Sequence, residues 1–171
     1  MGNKAVLVID MQNDYLWEKR KDLFSYNKEE LVHSVNNAIK EYYNKGYDIV
    51  YIAQVFPNIV TNRWFIGVSI KGTEGARIHK DVEVVSDMYF EKYTFDAYKS
   101  KSFQKFVKNK KYSEVILCGL DECGCVAATA KGAIKAGSCV KILEKSTESR
   151  FSDAKINRSR KKLTNLGVKY I

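Results

Sequence analysis

Three residues that can do chemistry stand where an element of secondary structure is predicted to end or begin. Asp10 directly follows an apolar run at 5–9, and Lys92 closes a short predicted strand. Cys125 opens a run of small apolar residues at 125–136 that predicts a helix. A carboxylate can take the proton of a thiol, an ammonium can stabilise negative charge, and the thiolate can then attack a carbonyl carbon. Together the three residues predict nucleophilic catalysis at a cysteine.

Each of these residues also has an ordinary structural interpretation. A carboxylate as deep as Asp10 is costly to bury without a partner, so it is either used in a reaction or held by a cap or an ion pair. Lys92, taken alone, is interpreted as a solvated cation. Cys125 is either a thiol whose pKa is lowered by the free amides of a helix N-terminus or a small buried apolar residue. Residue type and position leave these alternatives open.

The elements that must position these side chains alternate between strands and helices. Short apolar runs rich in branched residues are typical of buried parallel strands. Predicted strands lie at 5–9, 48–53, 115–118, 139–143 and 168–171, with another within 83–92. We therefore predict an α/β protein with three layers, α/β/α, around about six mostly parallel strands. In such sheets ligands bind beyond the carboxyl ends of the strands, where Asp10 and Lys92 are predicted to lie.

Two further segments are informative. A capping box formed by Asn27 and Glu30 predicts the start of the helix before the second strand, and Gly46 predicts its end. Residues 58–83 have no clear periodicity and contain several glycines. A stretch of this length without regular structure is typical of a functional loop or lid.

The composition is that of one globular domain spanning residues 1–171, with 45% hydrophobic and 29% charged residues. The apolar runs are far shorter than the ~18–20 residues of a membrane helix, so we expect no membrane association. Lys and Arg number 29 against 20 Asp and Glu, which gives a net charge of +9. Because these cations are spread along the chain and no recognition motif accompanies them, we expect no nucleic-acid partner. The positive charge can still attract anionic substrates.

The four cysteines bear on location and on metal binding. No secretory signal pattern precedes the first strand, so we expect a cytoplasmic, reducing location without structural disulfides. The spacing of the cysteines and of the two histidines does not match a structural zinc site. Cys123 lies two residues before Cys125, which leaves open a redox alternative in which these two thiols form a disulfide.

Four segments, in chain order, resemble motifs of the isochorismatase-like cysteine hydrolases, the superfamily that includes nicotinamidases and N-carbamoylsarcosine amidase. Residues 5–15 resemble the opening strand of the family and its D-x-Q-x-D-F segment. Residues 71–78 are similar to its G-T-x-G-A-x-I stretch, and residues 92–98 to its K-x-x-x-S-A-F segment with two substitutions. Residues 119–130 resemble its nucleophile loop, G-V-x-T-D-x-C-V-x-x-T-A.

The resemblance implies a catalytic triad of Asp10, Lys92 and Cys125, with the backbone amides of Asp121 and Cys125 as donors to an oxyanion. It also implies a cis peptide bond between Leu120 and Asp121, and a Rossmann-like isochorismatase fold with the strand order 3-2-1-4-5-6. The implied reaction is hydrolysis of a small amide through a thioester on Cys125. The alternatives are hydrolysis of a vinyl ether, as in isochorismatases proper, and a non-catalytic binding or regulatory module. Since the family commonly forms dimers or tetramers, we expect a homo-oligomer.

The sequence departs from the family pattern at two further places. Glu122 and Cys123 stand where the family usually has Thr and Asp. Gln54 and Phe56 stand where nicotinamidases carry the Asp and His of a metal-binding motif. Because neither residue reproduces a carboxylate–histidine site, we expect no metal and no other cofactor.

Three further residues are candidates for binding the small-molecule substrate. The side-chain amide of Gln54 faces either the substrate or the end of the strand that it caps. Tyr15 matches an aromatic position of the family, and Trp64 lies in the long segment before the third strand. Aromatic side chains at these positions would hold a flat or cyclic substrate, and both residues serve equally well as packing residues.

Overall fold

Six strands form one parallel sheet in the computed structural model, which describes residues 2–171. The strands are β1 (Lys4–Ile9), β2 (Asp48–Gln54), β3 (Tyr89–Lys92), β4 (Glu114–Gly119), β5 (Cys139–Thr147) and β6 (Lys169–Tyr170). Their spatial order is β3-β2-β1-β4-β5-β6, and every neighbouring pair is parallel. The predicted strand order is confirmed.

Helices occupy most of the connections between the strands. They are α1 (Asn13–Leu16), α2 (Lys28–Asn44), α3 (Val60–Phe65), α4 (Lys101–Lys110), α5 (Ala127–Lys135) and α6 (Asp153–Asn165). Within the described residues, none of these helices is both long and apolar enough to cross a membrane. Helix α2 begins as the sequence predicts, because the side chain of Asn27 accepts a hydrogen bond from the amide of Glu30 at 3.2 Å.

The sheet is covered on both faces, which explains the uninterrupted apolar runs of its strands. In β1, Leu7 and Ile9 belong to one hydrophobic cluster, in which Phe103 of α4 is fully buried. The alternate residues Val6 and Val8 belong to the opposite cluster, together with Ile39 of α2. The predicted three-layer arrangement is therefore confirmed.

Residues 58–83 are more ordered than the sequence predicts. They contain the short helix α3 and a 3-10 turn at Glu74–Ala76. Helix α3 buries none of its residues, so it has no amphipathic face and no helical period to detect. The short strand predicted within 83–92 is found at Tyr89–Lys92, where it pairs with β2.

The helix predicted at 125–136 begins in an unusual way. Glu122–Val126 form a π-helical turn, and regular α-helix starts only at Ala127. Such π-helical turns are frequent at functional sites. This turn follows the carboxyl end of β4, next to the carboxyl end of β1, so it brings Cys125 to the edge of the sheet at which ligands bind.

Candidate active site

The side chains of Asp10, Lys92 and Cys125 meet at the carboxyl edge of the sheet. The Lys92 Nζ atom lies 2.8 Å from Asp10 Oδ2 and 3.1 Å from Cys125 Sγ. All three residues are buried, and Lys92 is only 1% exposed. Asp10 follows the carboxyl end of β1, and Lys92 ends β3 on the other side of β2. Because the three strands are parallel, both residues lie at the same edge of the sheet. The solvated-cation interpretation of Lys92 is wrong.

The Asp10 carboxylate has one oxygen engaged and one free. Oδ2 accepts the hydrogen bond from Lys92, whereas Oδ1 is buried and has no hydrogen-bond partner among the described residues. The backbone of Asp10 has φ 53, which is uncommon for a residue other than glycine. Its amide is nevertheless bonded to the carbonyl of Ile52 on β2 at 2.8 Å. A buried carboxylate oxygen without a donor is an acceptor available for a proton.

Gln54 is the third partner of the lysine. Its Oε1 atom accepts a hydrogen bond from Lys92 Nζ at 2.7 Å, and its Nε2 atom donates to the Lys92 carbonyl at 3.1 Å. Gln54 and Lys92 are register partners on β2 and β3, so the strand pairing itself brings them together. Gln54 lies on the wall of the cavity, but its amide is occupied in holding the ammonium group.

The loop that carries Cys125 is held by Gly119 and Asp121. Gly119 has φ +99, and a Cβ atom at this position would lie 2.1 Å from the carbonyl oxygen of Ile9, so only glycine fits. The peptide bond between Leu120 and Asp121 is cis. The amides of Gly124 and Val126 both donate to the Asp121 carbonyl, whereas no acceptor for the Asp121 amide is found within residues 2–171.

Burial and charge set the ionisation of this cluster. Burial raises the pKa of the Cys125 thiol, and the Asp10 carboxylate raises it further against the opposing effect of Lys92. Burial lowers the pKa of Lys92, but the negative charge of Asp10 opposes this effect, and the pKa is raised. At neutral pH the cluster is therefore an Asp10–Lys92 ion pair beside a neutral thiol. This thiol pKa is shifted opposite to the direction that a helix N-terminus alone would give.

The cluster opens into a cavity of about 550 Å³. Asp10, Gln54, Asp121 and Cys125 lie on its wall. Aromatic rings make up much of the remaining wall: Tyr15, Phe24, Tyr26, Phe56, Phe95 and Phe151. A volume of this size and an apolar wall with a few polar groups are typical of small-molecule sites.

The two aromatic candidates for substrate binding have different positions. Tyr15 lines the cavity, where its hydroxyl accepts a hydrogen bond from Ser69 Oγ at 2.8 Å and its ring packs edge-on against Phe24. Trp64 does not line the cavity, and it is 84% exposed on α3. The structure therefore does not bring Trp64 to the site, because the short helix that carries it projects its side chain into solvent.

Comparison with known proteins identifies the family. Residues 4–168 match the family model described as the isochorismatase domain. The chain belongs to the isochorismatase family. An isochorismatase-like hydrolase from Alkaliphilus metalliredigens is 22% identical, with 99% of this chain and 93% of that chain aligned at a TM-score of 0.84.

Two further solved structures of isochorismatase-like fold have amidase names. N-carbamoylsarcosine amidase from Thermoplasma acidophilum is 19% identical, with 98% of this chain and 95% of that chain aligned at a TM-score of 0.80. A nicotinamidase from Bacillus subtilis is 19% identical, with 98% of each chain aligned at a TM-score of 0.80. At these identities the likeness establishes the fold.

The departure from the family pattern at Glu122 has a structural explanation. The Glu122 carboxylate is buried and forms two hydrogen bonds with Arg160 of α6, from Nε to Oε1 at 2.7 Å and from Nη2 to Oε2 at 3.0 Å. Arg160 also pairs with Glu144 of β5. Cys123 is a half-buried free thiol on the cavity wall, and its amide donates to Asp121 Oδ1 at 3.0 Å.

The metal-binding motif of nicotinamidases has no counterpart in this chain. Both polar atoms of the Gln54 side chain are bonded to Lys92, and Phe56 has no ligand atom. Within residues 2–171, no group of three or more His, Cys, Asp or Glu side chains is placed to hold a metal ion. The residues present do not fit the metal-binding motif of the nicotinamidases.

Sequence reasoning missed the cations at the mouth of the cavity, which are Lys21, Lys131, Arg150 and Lys155. Lys131 follows Gly124 by seven residues, and this helical spacing could have placed it on the same face of the chain as the nucleophile loop. Arg150 had no such signal. It reaches the site because its amide donates to Asp121 Oδ2 at 2.8 Å, a contact between segments 29 residues apart.

Proposed function

We propose that this member of the isochorismatase family is a cysteine hydrolase that cleaves small amides through a thioester on Cys125. The observation that carries the proposal is the buried cluster in which one ammonium group contacts both a carboxylate and a thiol. Asp10 is the base, Cys125 the nucleophile, and Lys92 the cation that stabilises negative charge. The amidase names of two structures with the same fold support amide bonds as the target.

The first step follows from the charge of the cluster. A thiolate formed by losing its proton to solvent would leave a net negative charge in a buried site, which is costly. Transfer of the Sγ proton to the free Oδ1 of Asp10 leaves the net charge at zero. The thiolate then attacks the amide carbon, and a carbon–sulfur bond forms as the carbonyl π electrons move to oxygen.

The remaining steps of the reaction use the same groups. The oxyanion is stabilised by the amides of Asp121 and Cys125 and by the nearby Lys92 ammonium. As the tetrahedral intermediate collapses, the carbon–nitrogen bond breaks, and Asp10 returns its proton to the leaving ammonia or amine. Water, deprotonated by Asp10, then attacks the thioester, which releases the acid and regenerates the thiol as the proton returns to sulfur.

A panel of small amides, carbamoyl compounds and cyclic amides tests this proposal. We expect release of ammonia or amine by the wild-type protein and its loss in Cys125→Ala. Cys139→Ala is the matched control, since Cys139 is an exposed free thiol at the start of β5. Equal turnover by the wild-type protein and Cys125→Ala would contradict a cysteine nucleophile.

A further inference from the structure

The cavity above Cys125 has an apolar body and a cationic mouth. Six aromatic side chains contribute to its walls, and the four cations Lys21, Lys131, Arg150 and Lys155 lie at its rim. All four are exposed residues, which places them at the solvent side of the cavity. A small molecule inside the cavity is therefore close to these cations.

Two carboxylates line the cavity, those of Asp10 and Asp121. Asp10 is paired with Lys92. The Asp121 carboxylate accepts hydrogen bonds from the amides of Cys123 and Arg150 and from the hydroxyl of Ser149. Among the described residues, no carboxylate lies within 4 Å of any of the four rim cations. Within the part of the chain that the structure describes, Asp121 is thus the one wall carboxylate without a cationic partner, and the four rim cations outnumber it, so the mouth has an excess of positive charge.

Two of the four cations are committed to other contacts. Lys21 Nζ donates to the carbonyl of Ile66 at 2.8 Å. Lys155 Nζ lies over the ring of Phe151, 3.1 Å from its centre. These contacts hold both lysines against the wall of the cavity.

The other two cations have their donors available. The guanidinium group of Arg150 lies 4.9 Å from the ring centre of Phe151 and 6.0 Å from that of Phe24, and it makes no side-chain hydrogen bond to the described residues. Lys131, on α5, likewise makes none. An arginine held against aromatic rings with free donors suits two parallel hydrogen bonds to a carboxylate.

We propose that the substrate is an amide that carries a second, anionic group, a carboxylate, at its far end. In this arrangement the carboxylate binds Arg150 and Lys131 at the mouth, the apolar body lies between the aromatic walls, and the amide carbon reaches Cys125. The proposal rests on the proposed amidase function of the same site. It also gives the net charge of +9 a local role in attracting an anionic substrate.

Matched pairs of amides test the carboxylate preference. We would compare 3- and 4-carboxybenzamide with 3- and 4-acetylbenzamide, and succinamate with 4-oxopentanamide, since each neutral partner replaces only the carboxylate. For at least one pair we expect kcat/KM to favour the acid by about tenfold or more, the contribution of a charged hydrogen-bonded pair. Added salt should reduce this ratio because it screens exposed charges.

Variants assign the preference to the rim. In the double variant Arg150→Gln, Lys131→Gln, the ratio of kcat/KM for the acid to kcat/KM for its neutral ketone partner should be close to one. Lys40→Gln, which changes an exposed lysine of α2 away from the cavity, should leave the ratio as in the wild-type protein. Titration calorimetry of the same compounds into Cys125→Ala, with and without the rim substitutions, measures the preference without turnover.

The outcomes separate this inference from the proposed function. Turnover that depends on Cys125 but does not distinguish acid from ketone would overturn the inference and leave the amidase proposal standing. If the acid binds preferentially, this preference is lost with the rim substitutions and no compound is hydrolysed, the result would support the carboxylate site at the rim and count against the amidase proposal. If no compound is hydrolysed and the acid binds no better than its neutral partner, the inference is overturned.

Discussion

At the scale of single residues, the candidate site is a charge-balanced group of three side chains. The ion pair between Asp10 and Lys92 compensates in part for the hydration that both charges lose on burial. The free Oδ1 atom of Asp10 is the one unsatisfied oxygen of that pair. A neutral thiol beside it can transfer its proton without a change in net charge, so the resting state is both stable and ready to react.

Asp10→Asn tests the role of the base. The amide keeps the shape of the side chain and an oxygen for Lys92, but it cannot accept the thiol proton. We expect kcat/KM for a hydrolysed amide to fall by about 10²–10⁴-fold, the usual contribution of general acid–base catalysis. Asp22→Asn, at an exposed position, is the control. Wild-type activity in Asp10→Asn would contradict the assignment.

The raised pKa of Cys125 predicts slow alkylation of the substrate-free protein at neutral pH. Iodoacetamide reacts with thiolates, and both burial and the Asp10 charge disfavour the thiolate of Cys125. We expect Cys139, which is exposed, to be labelled first at pH 7 and labelling of Cys125 to increase at alkaline pH. Peptide mass spectrometry measures both sites, and faster labelling of Cys125 at pH 7 would show that the thiol is ionised.

Sequence patterns locate the three reactive residues, but they do not determine the ionisation state. Asp10, Lys92 and Cys125 were identified because each stands at the end of a strand or at the start of a helix. The pKa of Cys125 depends on how deeply the loop is buried and on the distance to Asp10, and neither quantity is visible in the sequence. Gln54 likewise became a partner of Lys92 only through the register of β2 and β3.

At the scale of elements, the ion pair of Glu122 and Arg160 joins the nucleophile loop to helix α6. The Glu122 side chain is 2% exposed, and that of Arg160 is 29% exposed. The pair therefore connects the turn that contains Cys125 to a residue 38 positions later in the chain. We infer that it helps to hold the π-helical turn in place.

Arg160→Met should destabilise the fold because it leaves the Glu122 carboxylate buried without a partner. Breaking a buried pair in this way costs about 3–5 kcal/mol, and partial exposure of Arg160 favours the lower value. The double variant Glu122→Met, Arg160→Met should recover much of that loss, since no charge remains buried. Urea unfolding gives both values, with exposed Arg158→Met as the control; a single variant as stable as the wild-type protein would contradict this role.

The sheet was predictable from apolar runs, whereas the segment between β2 and β3 was not. The runs at 5–9, 48–53 and 115–118 are uninterrupted because their strands are covered on both faces. Helix α3 has exposed apolar side chains and no buried residue, so the hydrophobic period that predicts a helix is missing. Without that period, the sequence of this segment does not show whether Trp64 lines the substrate site or lies elsewhere.

At the scale of the whole molecule, the fold and the family are established, and the remaining questions concern what binds. The expected homo-oligomer and the expected cytoplasmic location stay predictions. The absence of a metal is likewise a prediction, and it rests on the chemistry of Gln54 and Phe56.

We expect hydrolysis to be independent of metal ions. Elemental analysis of the purified protein should find transition metals well below one per chain, and prior dialysis against a chelator should leave kcat/KM unchanged. The reason is that Phe56 offers no ligand atom and the Gln54 amide is bonded to Lys92. Activity that is lost on chelation and restored by zinc would contradict this expectation.

The central claim, a thioester on Cys125, is tested most directly by trapping the acyl group. The reagent is an activated ester with the same acyl group as an amide that the protein hydrolyses. With this ester, deacylation is the slow step, so the thioester accumulates and acid quenching preserves it. Intact-mass and peptide mass spectrometry should then find one added acyl group, on the peptide that contains Cys125, and none in Cys125→Ala. An acyl group on another residue, or hydrolysis at the wild-type rate by Cys125→Ala, would contradict the account.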